Sequence, residues 1–164
     1  MNLTFRVAVA MLSLLCVFSR TLLPNSQKDN TVTQRATGPF EVKVVPLDPA
    51  FKFDENPIGH FSLDKQFHGD LEAASKGEML SAGSPKTSGG YVAIERVSGT
   101  LNGRSGTFIL QHNATMTNGA PQLNIIVVPG TATGQLTGLT GSMNIIIKDG
   151  KHSYDFSYTL PNSK

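Results

Sequence analysis

The stretch from Gly89 to His112 constrains this chain more than any other, because it holds two alternating runs folded about Asn102-Gly103. Asn-Gly between such runs is the strongest short-range hairpin signal, since a type I′ turn needs positive φ at both central residues. A two-residue turn pairs Leu101 with Arg104. Counting outward sets Val97 opposite Phe108, Glu95 opposite Leu110 and Ala93 opposite His112. One face then carries Tyr91, Ala93, Glu95, Val97, Phe108, Leu110 and His112, apolar apart from one carboxylate and one imidazole. The other carries Val92, Ile94, Arg96, Ser98, Thr107, Ile109, Gln111 and Asn113, a mixture suited to partial exposure. A bulge or a three-residue loop would slip the register by one and bring Arg96 and Gln111 to the inner face instead.

Two more such turns follow, at Asn118-Gly119 and Asp149-Gly150. The last pairs Lys148 with Lys151 and so sets Ile147 opposite His152, Ile145 opposite Tyr154 and Met143 opposite Phe156. Ser153, Asp155, Ser157 and Thr159 alternate with these and are all polar, which predicts one buried and one wet face. Upstream, Phe40 to Val44 alternates as a first strand. Pro46, Pro49 and Pro57 then mark a loop, the longest irregular segment and the expected lid or rim. Ile58 to Gly83 reads as two strands with a bend at Gly69, where glycine allows a corner or bulge. Gly83 to Gly90 is turn chemistry throughout. No segment after Ser19 shows sustained helical periodicity, so about eight short-spaced strands predict an all-β closed barrel or sandwich.

The residues Tyr91 to Arg96, Gly99-Thr100-Leu101, Gly103 to Phe108, Leu110-Gln111-His112, Val128-Pro129-Gly130 and Thr133 to Gly141 carry a resemblance. Over about Ala36 to Leu160 the chain resembles the bacterial domain-of-unknown-function family 3224. The resemblance implies a single antiparallel β-barrel similar to allene oxide cyclase and shared with dirigent proteins. It brings no activity that can be carried over residue by residue.

Residues 1–19 have Arg6 near the start, an uncharged apolar run from Val7 to Phe18 and small residues before Arg20, the layout of a secretory signal. The run is about 12 residues long, short of the roughly 20 needed to span a bilayer. Cleavage after Ser19 is expected, and Leu15 before Cys16 argues against lipid attachment. Residues 20–35 are polar and read as a disordered leader, with the barrel domain at 36–164. The predicted compartment is therefore outside the cytoplasm, periplasmic or secreted, with no membrane span once the signal is removed. Cleavage also removes the chain's single cysteine, so the domain must be held by its core without disulfides. Fourteen basic against 12 acidic residues, dispersed and without tryptophan, leave no electrostatic footprint for nucleic acid.

Gly130 to Gly141 invites a phosphate-loop reading, but it lacks the Gly-Lys-Ser/Thr ending and a following helix, and reads as a strand connection at a tight barrel corner. The chemistry-bearing residues of the inner face are Glu95 and His112, diagonal neighbours across two strands, with Tyr91, Phe108, Tyr154 and Tyr158 as further candidate ligand contacts. A Glu-His pair in an apolar barrel could act as general base and acid. The plainer reading is a buried carboxylate satisfied by a barrel lysine or arginine. His60, His68 and His152 lack metal-site spacing, and nothing in the inventory calls for a metal or another cofactor. Three roles stay open: a binding module for a small apolar or aromatic molecule, a cyclase or isomerase using Glu95 and His112, and a structural surface protein, with homo-oligomerisation compatible with each.

Overall fold

The structure is a computed structural model that describes residues 32–48, 58–84 and 86–161. The expected signal, most of the leader and most of the proline-marked loop lie outside the described residues. Eight strands run in order: β1 (Gln34–Pro46), β2 (Gly59–Phe67), β3 (Leu71–Gly83), β4 (Gly89–Leu101), β5 (Arg104–Thr117), β6 (Ala120–Val127), β7 (Thr140–Lys148) and β8 (Lys151–Thr159). Each pairs antiparallel with its sequence neighbour, and β8 returns to β1 to close the barrel. β1 begins at Gln34, two residues ahead of the expected domain start.

The three turns drive this order. Asn102 and Gly103 have φ of 46° and 78°, Asn118 and Gly119 50° and 80°, and Asp149 and Gly150 52° and 72°. Positive φ at both central residues matches the right-handed twist of the flanking strands and permits a two-residue connection. The pairs Leu101 with Arg104, Glu95 with Leu110 and Ala93 with His112 form as the turn chemistry requires, as do Lys148 with Lys151 and Met143 with Phe156. Gly69, with φ of 92°, lies in the tight connection between β2 and β3.

Closure falls to β1, which is shared between two partners. Its first half, Gln34 to Phe40, ladders onto β8, and its second half, Phe40 to Pro46, onto β2. The seam between β6 and β7 is thinner, with Ile126 opposite Ser142 as its register pair. The glycine-spaced connection before β7 is not plain coil: it folds one 3-10 turn at Gly134–Leu136 and buries Leu136 and Leu139.

That plug seals one end. Phe67, Leu71, Leu101, Phe108, Phe156 and Tyr158 are each no more than 1% exposed there. Phe108 stacks on Phe156 at 5.9 Å, and Phe156 meets Tyr158 at 5.3 Å. The Tyr154 hydroxyl accepts from the Leu71 amide (2.8 Å) and shares its proton between the carbonyls of Thr37 (3.1 Å) and His68 (3.0 Å). Burial pushes this phenol up to about 12, so it stays a donor. The Tyr158 hydroxyl donates to Gln34 Oε1 (2.9 Å) and accepts from Asn102 Nδ2 (2.8 Å), tying the start of β1 to the central turn.

Candidate functional site

Midway along the barrel, four polar side chains on four consecutive strands point inward. They are Lys65 on β2, Ser75 on β3, Glu95 on β4 and His112 on β5. The ladder explains the meeting. Lys65 pairs with Ser75, Glu95 pairs with Gly77 two residues further along β3, and Ala93, two residues before Glu95, pairs with His112. Glu95 therefore has Ser75 and His112 on its diagonals. Gly77 makes room beside it, because a Cβ there would press on the Ile94 carbonyl and come within 2.8 Å of Glu95 Cα.

Glu95 is wholly buried, and its two oxygens are divided. Lys65 Nζ donates to Oε2 at 2.5 Å and Ser75 Oγ to Oε1 at 2.5 Å. His112 Nε2 lies 3.0 Å from Oε2, yet it is off the axis of a good bond and stays buried without a well-directed partner among the described residues. Burial alone would push the carboxyl up. The adjacent His112, the Lys65 cation and the bonds from Lys65 and Ser75 outweigh it and hold Glu95 at about 2, against an ordinary 4.5. Lys65 and Ser75 are the stronger anchors, because their bonds are well directed. The Lys65 ammonium also lies over the faces of Phe40 (5.6 Å) and Phe67 (5.8 Å).

A cavity of about 450 Å³ sits one layer closer to the unsealed end. Its inner wall is Phe61, Met79, Tyr91, Ala114, Met116 and Leu123, from β2 to β6. Among the described residues no charged side chain lines it. Tyr91 is half-buried, and its phenol is pushed up by burial and by the nearby negative charge of Glu95. Further apolar side chains stand open at this mouth: Val44 and Ile147 occupy inward positions yet are 46% and 66% exposed, and Leu123 of the wall is 37% exposed. Ile147 departs from the expectation that its whole face is buried.

Of the candidate residues, the structure brings Glu95 and His112 together beneath the cavity and puts Tyr91 in its wall. Phe108, Tyr154 and Tyr158 pack in the sealed half, away from it. Lys65 and Ser75 complete the polar cluster and were not singled out from sequence. Lys65 does carry a readable sign, as the one charge in the inward series Phe61, Leu63, Lys65, Phe67. On the outside, His60 bridges the Asp48 carbonyl (3.0 Å) and Glu78 (2.9 Å), and His68 lies between Glu41 (3.1 Å) and Glu72 (3.4 Å). Among the described residues no three His, Cys, Asp or Glu side chains are grouped to hold a metal ion.

The family model described as Protein of unknown function (DUF3224) matches residues 36–158. A solved structure of a protein with unknown function from the same family, from Shewanella oneidensis MR-1, superposes with a TM-score of 0.76 at 46% identity, covering 80% of this chain and 100% of that one. No curated protein matches. With its closed eight-stranded barrel and a match over most of its length, the chain belongs to the DUF3224 family.

Proposed function

We propose that this protein is an exported binding barrel that holds one small apolar or aromatic molecule in its mouth. The observation that carries the reading is the cavity of about 450 Å³, whose wall among the described residues is mostly apolar and uncharged. That volume lies within the usual range for small-molecule sites, and soluble proteins seldom leave contiguous apolar surface open without a partner for it. Export rests on the secretory-signal layout of residues 1–19. Binding is favoured over a cyclase or isomerase role because Glu95 and His112 lie beneath the cavity and are absent from its wall. Glu95 is moreover held as an anion by Lys65 and Ser75, and a carboxyl held that far below its ordinary range is a weak base.

Native mass spectrometry of protein purified from its own host tests this directly. A co-purifying small molecule that is lost in Ala114→Trp, where the indole fills the cavity, is the expected result. An adduct-free wild type that also fails to bind apolar aromatic probes would overturn the reading.

A further inference from the structure

We infer that the Tyr91 and Ser81 hydroxyls are the polar seat of the mouth cavity, and that the ligand is a neutral apolar or aromatic body carrying a carbonyl oxygen. This rests on the mouth cavity being the binding site.

Both side chains line the cavity. Tyr91 alternates in phase with Ala93, Glu95 and Val97, and Ser81 in phase with Leu71, Ala73 and Ser75, all of them buried, so both point into the barrel. They are direct cross-strand partners, and side chains so paired start about 5 Å apart. Thr115 and Gln122 are the other polar side chains of the lining, but each is exposed and alternates to the outside of its strand.

The chain has three tyrosines. The hydroxyls of Tyr154 and Tyr158 are bonded within the protein at the sealed end, and that of Ser75 is bonded to Glu95. Those of Tyr91 and Ser81 have no hydrogen-bond partner among the described residues. His112 Nε2 also lacks a well-directed bond, but it lies 3.0 Å from Glu95 Oε2, in the layer beneath.

Burial and the nearby charge of Glu95 push the Tyr91 phenol up, so it stays protonated and can donate. A carbonyl oxygen offers two lone pairs and no donor of its own, so it answers two neighbouring hydroxyls without leaving a polar hydrogen against the apolar wall. A carboxylate is disfavoured, because among the described residues no cation lines the cavity to offset its desolvation. An apolar pocket with a few placed polar groups is how such sites fix a ligand's orientation.

The probes 2-acetylnaphthalene, 2-isopropenylnaphthalene and 2-naphthoate share one ring system and differ in the group attached: a ketone, its alkene isostere and an anion. Equilibrium dialysis against the purified chain reads the affinity of each. Tyr91→Phe keeps the ring and should weaken the ketone about tenfold, equivalent to about 1.4 kcal/mol, while leaving the alkene unchanged as the control for folding. Ser81→Ala should weaken the ketone about threefold and likewise spare the alkene. Wild type should bind 2-naphthoate about tenfold more weakly than the ketone. Ketone affinity unchanged in both variants, an equal loss of ketone and alkene, or 2-naphthoate bound as tightly as the ketone would overturn the inference while leaving the cavity reading intact. A wild type that binds neither the ketone nor the alkene would overturn the cavity reading, and the inference with it.

Discussion

The two ends of this barrel are made from the same strands with the same inward alternation, yet among the described residues one is packed solid and the other is open. At the sealed end the inward positions hold aromatic rings and large aliphatic side chains, the connection into β7 folds over them, and two tyrosine hydroxyls are fully bonded. At the mouth the inward positions hold Val44, Leu123 and Ile147, which no comparable plug covers among the described residues. The buried Lys65-Glu95 pair lies between the two. The difference teaches that alternation decides which way a side chain points, whereas the connections at each end decide whether it is buried. Stability should therefore reside in the sealed half and ligand selection in the mouth.

The largest expected effect lies in the sealed half. Phe156 is 0% exposed and is gripped between Phe108 and Tyr158. Phe156→Ala removes a ring that its rigid neighbours cannot replace, and should cost about 3–5 kcal/mol in urea unfolding. A cost below about 1 kcal/mol would show that the sealed end is no tighter than the mouth.

The boundary pair comes next. The Glu95 carboxyl is near 2 folded and near 4.5 unfolded, so its contribution is fully present above pH 4.5 and is lost as pH falls through 2. That loss amounts to roughly 3 kcal/mol of unfolding free energy. Lys65→Met leaves the carboxylate buried without its cation and should cost about 3 kcal/mol near neutral pH. With the cation gone, only His112 and Ser75 oppose burial, so the carboxyl rises from about 2 toward its ordinary range and the loss of stability with falling pH should be shallower than in wild type. Lys65→Met combined with Glu95→Leu removes both charges and should be less destabilised than Lys65→Met alone. Parallel pH profiles for wild type and Lys65→Met would show that Glu95 does not depend on Lys65.

Much of this layout can be read from the residues. Asn-Gly and Asp-Gly dictate positive φ pairs, those fix two-residue turns, and a two-residue turn fixes register, which is why Glu95, His112 and Tyr154 can be placed on the inner face without coordinates. The family resemblance adds closure. Two things stay hidden for physical reasons. Lys65 and Glu95 are 30 residues apart on strands that do not pair directly, and only the curvature of the barrel brings their diagonals together. The plug at Gly134–Leu136 is one helical turn long, too short for any period to register. Depth along the barrel is illegible as well, because Met143 and Ile147 look alike in an alternating strand.

A smaller effect tests how the sealed end is stapled. Tyr154→Phe keeps the ring against Phe67 at 5.6 Å but removes the oxygen that serves the Leu71 amide and the carbonyls of Thr37 and His68. The buried Leu71 amide then loses its acceptor, so the loss should be about 1–3 kcal/mol, with faster amide exchange at Leu71. Unchanged exchange there would mean that water replaces the hydroxyl and that the sealed end is wetter than its packing indicates.

The smallest effect separates direction from burial within one strand. Met143 and Ile147 both point inward on β7, but Met143 is 3% exposed and Ile147 66%. Met143→Ser gives up most of a buried side chain and should be clearly destabilising, on the order of 2 kcal/mol or more. Ile147→Ser gives up almost no burial on folding, and its unfolding midpoint should stay within about 0.5 kcal/mol of wild type. The same substitution makes the mouth more polar, so it should weaken binding of apolar aromatic probes while leaving the fold untouched. If Ile147→Ser instead destabilises as much as Met143→Ser, then something packs over Ile147, and the two ends of the barrel differ less than their lining suggests.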